Sequence, residues 1–138
     1  MFEKTVLIVD DNVDSRSAIK LWLEIAHCNV IEADSGEAAV ELTKRLSPQV
    51  ILMDLRMPGT SGFEAISRIR SLDEGNQIPI IVFSGYVSNS EWKREALEAG
   101  ANECLLKPDD VYKLKEVIMK YLPSQGNIDQ NTSASSAT

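Results

Sequence analysis

Val50-Ile51-Leu52-Met53-Asp54 decides how this chain folds. Four consecutive apolar side chains leave no polar alternation, so the segment suits a strand buried on both faces, as in a parallel sheet covered by helices. Such a strand has no use of its own for the carboxylate that ends it. The same arrangement recurs on either side: Val6-Leu7-Ile8-Val9 runs into Asp10-Asp11, Ile80-Ile81-Val82-Phe83 into Ser84, and Leu105-Leu106 into Lys107. In an open parallel α/β sheet the ligand crevice lies beyond the carboxyl ends of the strands, so these side chains are expected to converge although they are far apart in sequence. Three carboxylates, a hydroxyl and an ammonium suit a hard divalent cation together with a phosphoryl group.

Strands are predicted near residues 5–9, 29–32, 50–53, 80–83 and 103–106, and helices over about 14–26, 35–46, 62–71, 89–99 and 110–121. Ala18, Leu21, Trp22 and Ile25 fall on one apolar stripe of the first helix, and Val111, Leu114, Ile118, Tyr121 and Leu122 on one stripe of the last; both stripes are expected to face the core. Ser61 with Glu64 and Ser88 with Glu91 have capping-box spacing, and Asp109 and Asp110 bring negative charge to the start of the final helix. Gly59 and Gly62 bracket a turn after the third strand, whereas Gly36 has no evident place in the pattern. Right-handed crossovers then set helices on both faces of the sheet, giving a doubly wound, three-layer α/β domain over residues 1–123. The stretch 124–138 is too polar and too small in its side chains to repay the entropy of ordering, and is predicted to be a disordered tail.

A chain of 138 residues with 43% hydrophobic content can bury a core as one domain, without disulfides or a structural metal. Its formal net charge of −7 argues against a nucleic-acid partner, because phosphate backbones are held by clustered Lys and Arg. Cys28 and Cys104 are too few and too far apart for a metal motif, and no signal-peptide pattern precedes the first strand, so a reducing cytoplasm is expected. No apolar run approaches the roughly 20 residues that cross a bilayer as a helix, and no membrane partner is expected.

The adjacent carboxylates Asp10 and Asp11 repel unless a cation neutralises them. Magnesium typically takes one or two carboxylates and keeps several waters, so Asp11, Asp54 and a backbone carbonyl would suffice. Asp10, Asp11 and Asn12 equally suit a cap for the first helix. Asp54 can serve as a second metal ligand or as a nucleophile that forms an acyl phosphate. Lys107, just before Pro108, is expected to reach over the same edge to an anion, and Ser84, just before Gly85, offers a hydroxyl to a phosphoryl oxygen. His27 lies near the end of the first helix, where a cation suits the dipole, and Lys113, Lys115 and Lys120 read as a solvated face.

Taken in order, Leu7-Ile8-Val9-Asp10-Asp11, Met53-Asp54-Leu55-Arg56-Met57-Pro58-Gly59, Phe83-Ser84-Gly85, and Gly100-Ala101-Asn102 leading to Leu106-Lys107-Pro108 resemble the receiver domains of two-component response regulators, over nearly all of residues 1–122. The resemblance implies a flavodoxin-like sheet of strand order 2-1-3-4-5 with five helices, and a cis peptide before Pro108. It implies Asp54 as phosphoacceptor and magnesium held by Asp11, Asp10, Asp54 and the backbone carbonyl of Arg56, with Ser84 and Lys107 on the phosphoryl oxygens. The donor would be a histidine kinase or a histidine phosphotransfer protein. The output, with no effector segment after residue 122, would pass to another protein through the face of the last two helices.

One position departs from the family pattern. Where receivers commonly carry a Tyr or Phe that turns inward on activation, three residues before the lysine, this chain has Cys104. The switch is therefore expected to run through Gly85 and Tyr86, with Tyr86 or Trp92 in place of the ring. Arg56 and Tyr86, two beyond Asp54 and Ser84, are expected to shield the phosphoryl group and slow its hydrolysis. Two other readings compete with the phosphorylated switch. A phosphohydrolase of the haloacid dehalogenase type would need a second Asp where Arg56 stands, and a guanidinium is no general acid or base. A docking module that works without phosphorylation would have no reason to keep two uncompensated carboxylates side by side.

Overall fold

The computed structural model describes residues 4–85 and 91–123. Strands β1 (Thr5–Val9), β2 (Asn29–Ala33), β3 (Val50–Met53), β4 (Ile80–Ser84) and β5 (Glu103–Leu106) alternate with helices α1 (Val13–Ile25), α2 (Gly36–Leu46), α3 (Gly62–Ser71), α4 (Trp92–Ala99) and α5 (Val111–Tyr121). All pairings are parallel, in the order β2-β1-β3-β4-β5. This is the flavodoxin-like doubly wound sheet that the sequence implies. Val9 pairs with Met53, Met53 with Val82, and Val82 with Cys104, so the carboxyl ends of the four strands that carry the polar residues lie in line.

Side chains alternate across a strand, and the continuous apolar runs therefore feed two cores at once. Leu7, Val9, Ile51, Met53 and Val82 pack against Ala65, Ile66 and Ile69 of α3 and Trp92 and Ala96 of α4. Val6, Ile8, Val50, Leu52, Ile81 and Phe83 pack on the other face against Leu23 of α1 and Leu114 and Ile118 of α5. Each helix returns from the carboxyl edge to the amino edge, where the Tyr121 hydroxyl at the end of α5 donates to the Glu103 carboxylate at the start of β5 at 2.7 Å. Arg70 closes the loops of that amino edge, donating to the carbonyls of Gly75, Ile78 and Gly100 and to the Asn102 side chain.

Strand limits agree with expectation to within a residue, but the roll of α1 does not. Leu21 and Ile25 are 62% and 71% exposed and Ala18 is also exposed, while Leu23 is fully buried with Ile19, Trp22 and Ala26 packed around it. The ionic contacts agree with this roll: Arg16 and Lys20, one turn apart, both reach Glu32 on β2, at 3.0 and 3.2 Å, on the face that carries Leu23 in the next turn. Leu23→Ala is accordingly expected to lower stability by about 2–5 kcal/mol, and Leu21→Ala by about 0.5 kcal/mol at most, in urea denaturation. Equal losses would overturn this placement of α1. On α5, Leu114, Ile118 and Leu122 are buried as expected, but Val111 is 56% exposed.

The starts of the helices also differ from the pattern in places. Ser61 caps α3 by accepting the Glu64 N–H at 3.2 Å. Ser88 lies outside the described residues, and Glu91 stands at the N-cap of α4. Asp110 does not cap α5 with its side chain. Its carboxylate accepts the Leu106 N–H at 2.9 Å instead, fastening the turn that carries Lys107. Among the described residues no helix is long and apolar enough to cross a membrane.

Candidate functional site

The loop from β1 to α1 is built around Asp10, which is buried, and Asp11, which is exposed. The Asp10 N–H continues the ladder to the Ala33 carbonyl at 3.1 Å, and its Oδ1 accepts the Asn12 N–H at 2.9 Å. Asn12 then caps α1 by accepting the Ser15 N–H at 2.8 Å. Capping thus belongs to Asn12, and the two aspartates are left for the site.

Asp54 follows β3, its N–H donating to the Val9 carbonyl at 2.9 Å. Its Oδ1 accepts from the Ser84 hydroxyl at 2.7 Å and from the Arg56 N–H at 3.3 Å. The Lys107 ammonium stands 2.6 Å from Asp10 Oδ2, 3.4 Å from Asp54 Oδ2 and 3.4 Å from the Ser15 hydroxyl, and the Lys107–Pro108 peptide is cis. Two glycines allow these loops to close. A Cβ on Gly62 would collide with the Asp54 carbonyl and the Leu55 Cα, and one on Gly36 would lie 2.7 Å from the Thr60 carbonyl. The second contact supplies the role that the sequence pattern left open for Gly36.

Asp10, Asp11, Asp54, Arg56, Gly85 and Lys107 therefore line one cavity of about 400 Å³, together with Asn12 and Ser15. Sequence reasoning missed Ser15 as a cavity residue. The available signal was its place in the first turn of a helix that starts directly after the acidic pair, since helical side chains lean toward the N-terminus. Cys104 lies outside the cavity. It sits on β5, half-buried, with its Sγ 3.8 Å from the Lys93 carbonyl of α4, and burial pushes its thiol pKa up. Trp92 is buried in the core beneath α4. Tyr86 lies outside the described residues.

One oxygen from each of Asp10, Asp11 and Asp54 falls within 4.8 Å of the others. Burial alone would raise the Asp10 pKa, but the Lys107 hydrogen bond and charge, with the Asn12 N–H, outweigh it and hold the carboxyl below the ordinary range. Lys107 and, at the cavity wall, Arg56 set two positive charges against three carboxylates, so the donor set is hard, oxygen-only and still short of positive charge, which fits a magnesium ion. Both Asp10 oxygens are engaged closely, by the Asn12 N–H and by Lys107, whereas Asp54 has its Oδ1 on Ser84 and the Arg56 N–H and its Oδ2 held only at 3.4 Å by Lys107. A second groove of about 360 Å³ between α1 and α5 is walled by Ile19, Trp22, Val111 and Leu114 and lacks such a donor set.

A strand-end acidic cluster with a hydroxyl and a lysine across it, at the carboxyl edge of a 2-1-3-4-5 sheet, is the arrangement of a signalling receiver. The chain belongs to that family: it matches the model for the response regulator receiver domain over residues 6–119. It is 34% identical over 122 residues to the signal transduction histidine-protein kinase BarA of Escherichia coli, and the match covers 88% of this chain but 13% of BarA. It is similar to the receiver domain of sensor histidine kinase PA1611 from Pseudomonas aeruginosa, solved with a magnesium ion in its active-site cleft (28% identity, TM-score 0.79, 89% of this chain and 100% of that one). It is also similar to a Saccharomyces cerevisiae structure of the histidine phosphotransfer protein Ypd1 with the receiver domain of Ssk1 (29% identity, TM-score 0.77, 86% and 88% covered).

Proposed function

We propose that the chain is a phosphorylated switch that accepts a phosphoryl group on Asp54 from a phosphohistidine donor, a histidine kinase or a histidine phosphotransfer protein. The observation that carries this reading is the surround of Asp54: the buried Ser84 hydroxyl at 2.7 Å and, lining one cavity with Asp54, an ammonium at 3.4 Å and two further carboxylates within 4.8 Å. In the transfer, an Asp54 carboxylate oxygen attacks phosphorus. The new O–P bond forms as the donor's N–P bond breaks, and its electron pair returns to the imidazole. In this reading Lys107 and Ser84 take two of the phosphoryl oxygens. Magnesium, held by Asp11, Asp54 and the Arg56 carbonyl with Asp10 in support, would neutralise the gathering negative charge.

Ser84 already donates to Asp54, so no long travel of its hydroxyl is needed. That suits a chain whose β5 carries Cys104 rather than an aromatic ring. We place the switch in Gly85 and the segment that follows, with Tyr86, and the downstream docking on the face of α4 and α5. The Arg56 side chain, at the mouth of the cavity, shields the acyl phosphate from water. The test is intact-mass spectrometry after incubation with acetyl phosphate and magnesium. One added phosphoryl group is expected, absent in Asp54→Ala and absent with EDTA. No adduct on the native protein at any time from seconds onward would overturn the reading in favour of a docking module that works without phosphorylation.

A further inference from the structure

We propose that Arg16 is a positioning residue for the acidic loop: tethered to Glu32 on β2, it holds the main chain of Asp10 where the neighbouring carboxylates can meet a cation. The proposal rests on the magnesium site of the phosphoacceptor reading, and concerns a residue that does not line the cavity. Both polar groups of the Asp10 main chain are held, one by β2 and one by α1. Its N–H donates to the Ala33 carbonyl at 3.1 Å, and its carbonyl accepts from Arg16 Nη1 at 2.7 Å. Arg16 Nε in turn donates to Glu32 Oε1 at 3.0 Å, and Lys20 holds the other Glu32 oxygen at 3.2 Å.

The reason for this device lies in the topology. The β1–β2 ladder stops at Ala33, because Ser35 turns away to cap α2. The Asp10 carbonyl thus lies past the last rung, and a polar main-chain group this far buried calls for a partner. The guanidinium supplies one. Its side chain is only 15% exposed, and its fork serves the carbonyl and the carboxylate with separate N–H groups, which one ammonium on a flexible stem cannot reproduce. Asp10, Asp11 and Asn12 then have no freedom to swing as a unit away from Asp54. Partners of this outer kind typically alter metal affinity by roughly 10–100-fold when removed.

The experiment is magnesium titration by isothermal calorimetry on the native protein and on Arg16→Lys, Arg16→Met and Glu32→Gln, with circular dichroism confirming the fold. Arg16→Lys keeps the charge and loses the fork, so its Kd is expected to rise roughly tenfold. Arg16→Met is expected to match it, and Glu32→Gln, with the arginine present but untethered, to show a smaller rise. Labelling by acetyl phosphate should recover toward the native extent as magnesium is raised, a shift in the magnesium requirement rather than in the maximum. An unchanged Kd in folded Arg16→Lys overturns the proposal. So does a fall in Kd in Arg16→Met, which simple removal of a positive charge would give, and so does loss of the fold in all three variants. Failure of the phosphoacceptor reading would look different: magnesium binding that responds to these substitutions, without any adduct on Asp54.

Discussion

Lys107→Met is expected to lower folding stability by about 2–4 kcal/mol in magnesium-free buffer and to abolish stable phosphoryl uptake on Asp54. The Asp10 side chain is 5% exposed and leans on the Lys107 ammonium at 2.6 Å. Removing the ammonium leaves a buried carboxylate without its cation, and breaking such a pair is far costlier than never having built it. The lysine itself is 22% exposed and keeps some hydration, which places the loss below that of a fully buried pair. Magnesium is expected to restore part of the stability, because an ion bound only by the folded state adds RT ln(1 + [L]/Kd), about 1.4 kcal/mol at ten times Kd.

The pH dependence of that loss is fixed in sign. Burial would raise the Asp10 pKa, but Lys107 and the Asn12 N–H depress it, so the native pair stabilises the fold above the unfolded value of about 4. This contribution vanishes as pH falls through the depressed folded value, and the difference between native and variant should therefore close in acid. Urea denaturation of both proteins, in EDTA and in magnesium at pH 7 and pH 3, measures all of this. Equal stability at pH 7 in EDTA would remove Lys107 from its role as partner of Asp10.

Gly62→Ala is expected to cost about 2–4 kcal/mol and to lower acetyl phosphate labelling at the same time. The added methyl would fall on the Asp54 carbonyl and the Leu55 Cα, which are main-chain atoms with no rotamer to yield. Either α3 retreats, opening the core under Ala65 and Ile66, or the Asp54 loop moves and takes its carboxylate from Ser84. Gly85→Ala is the comparison for stability alone, because among the described residues a Cβ there meets the Lys107 Cβ at 4.0 Å and nothing nearer. Native stability and labelling in Gly62→Ala would contradict the close approach described above.

The parts of this architecture legible in the sequence are those fixed by local chemistry. Unbroken apolar runs mark strands buried on both faces, and the polar residues that end them mark the edge where Asp10, Asp54, Ser84 and Lys107 meet. What was illegible depends on partners distant along the chain. The roll of α1 sets Leu23 in the core and Arg16 and Lys20 on Glu32, contacts that no helical periodicity records, and the apolar stripe through Leu21 and Ile25 points the wrong way. Gly36 answers to the Thr60 carbonyl. The sequence points Lys107 at an anion, but that its nearest partner is Asp10 rather than Asp54 depends on the geometry of two loops.

The pairing of Tyr121 with Glu103 brings the end of α5 to the edge from which β1 departs, opposite the acidic cluster. The described residues thus begin and end, at Lys4 and Pro123, on the side of the sheet opposite the acidic cluster. Entry and exit of the described domain on one side leave the opposite edge, with its carboxylates, to the site. The match to BarA, which takes up 13% of that kinase, is a match to such a self-contained unit.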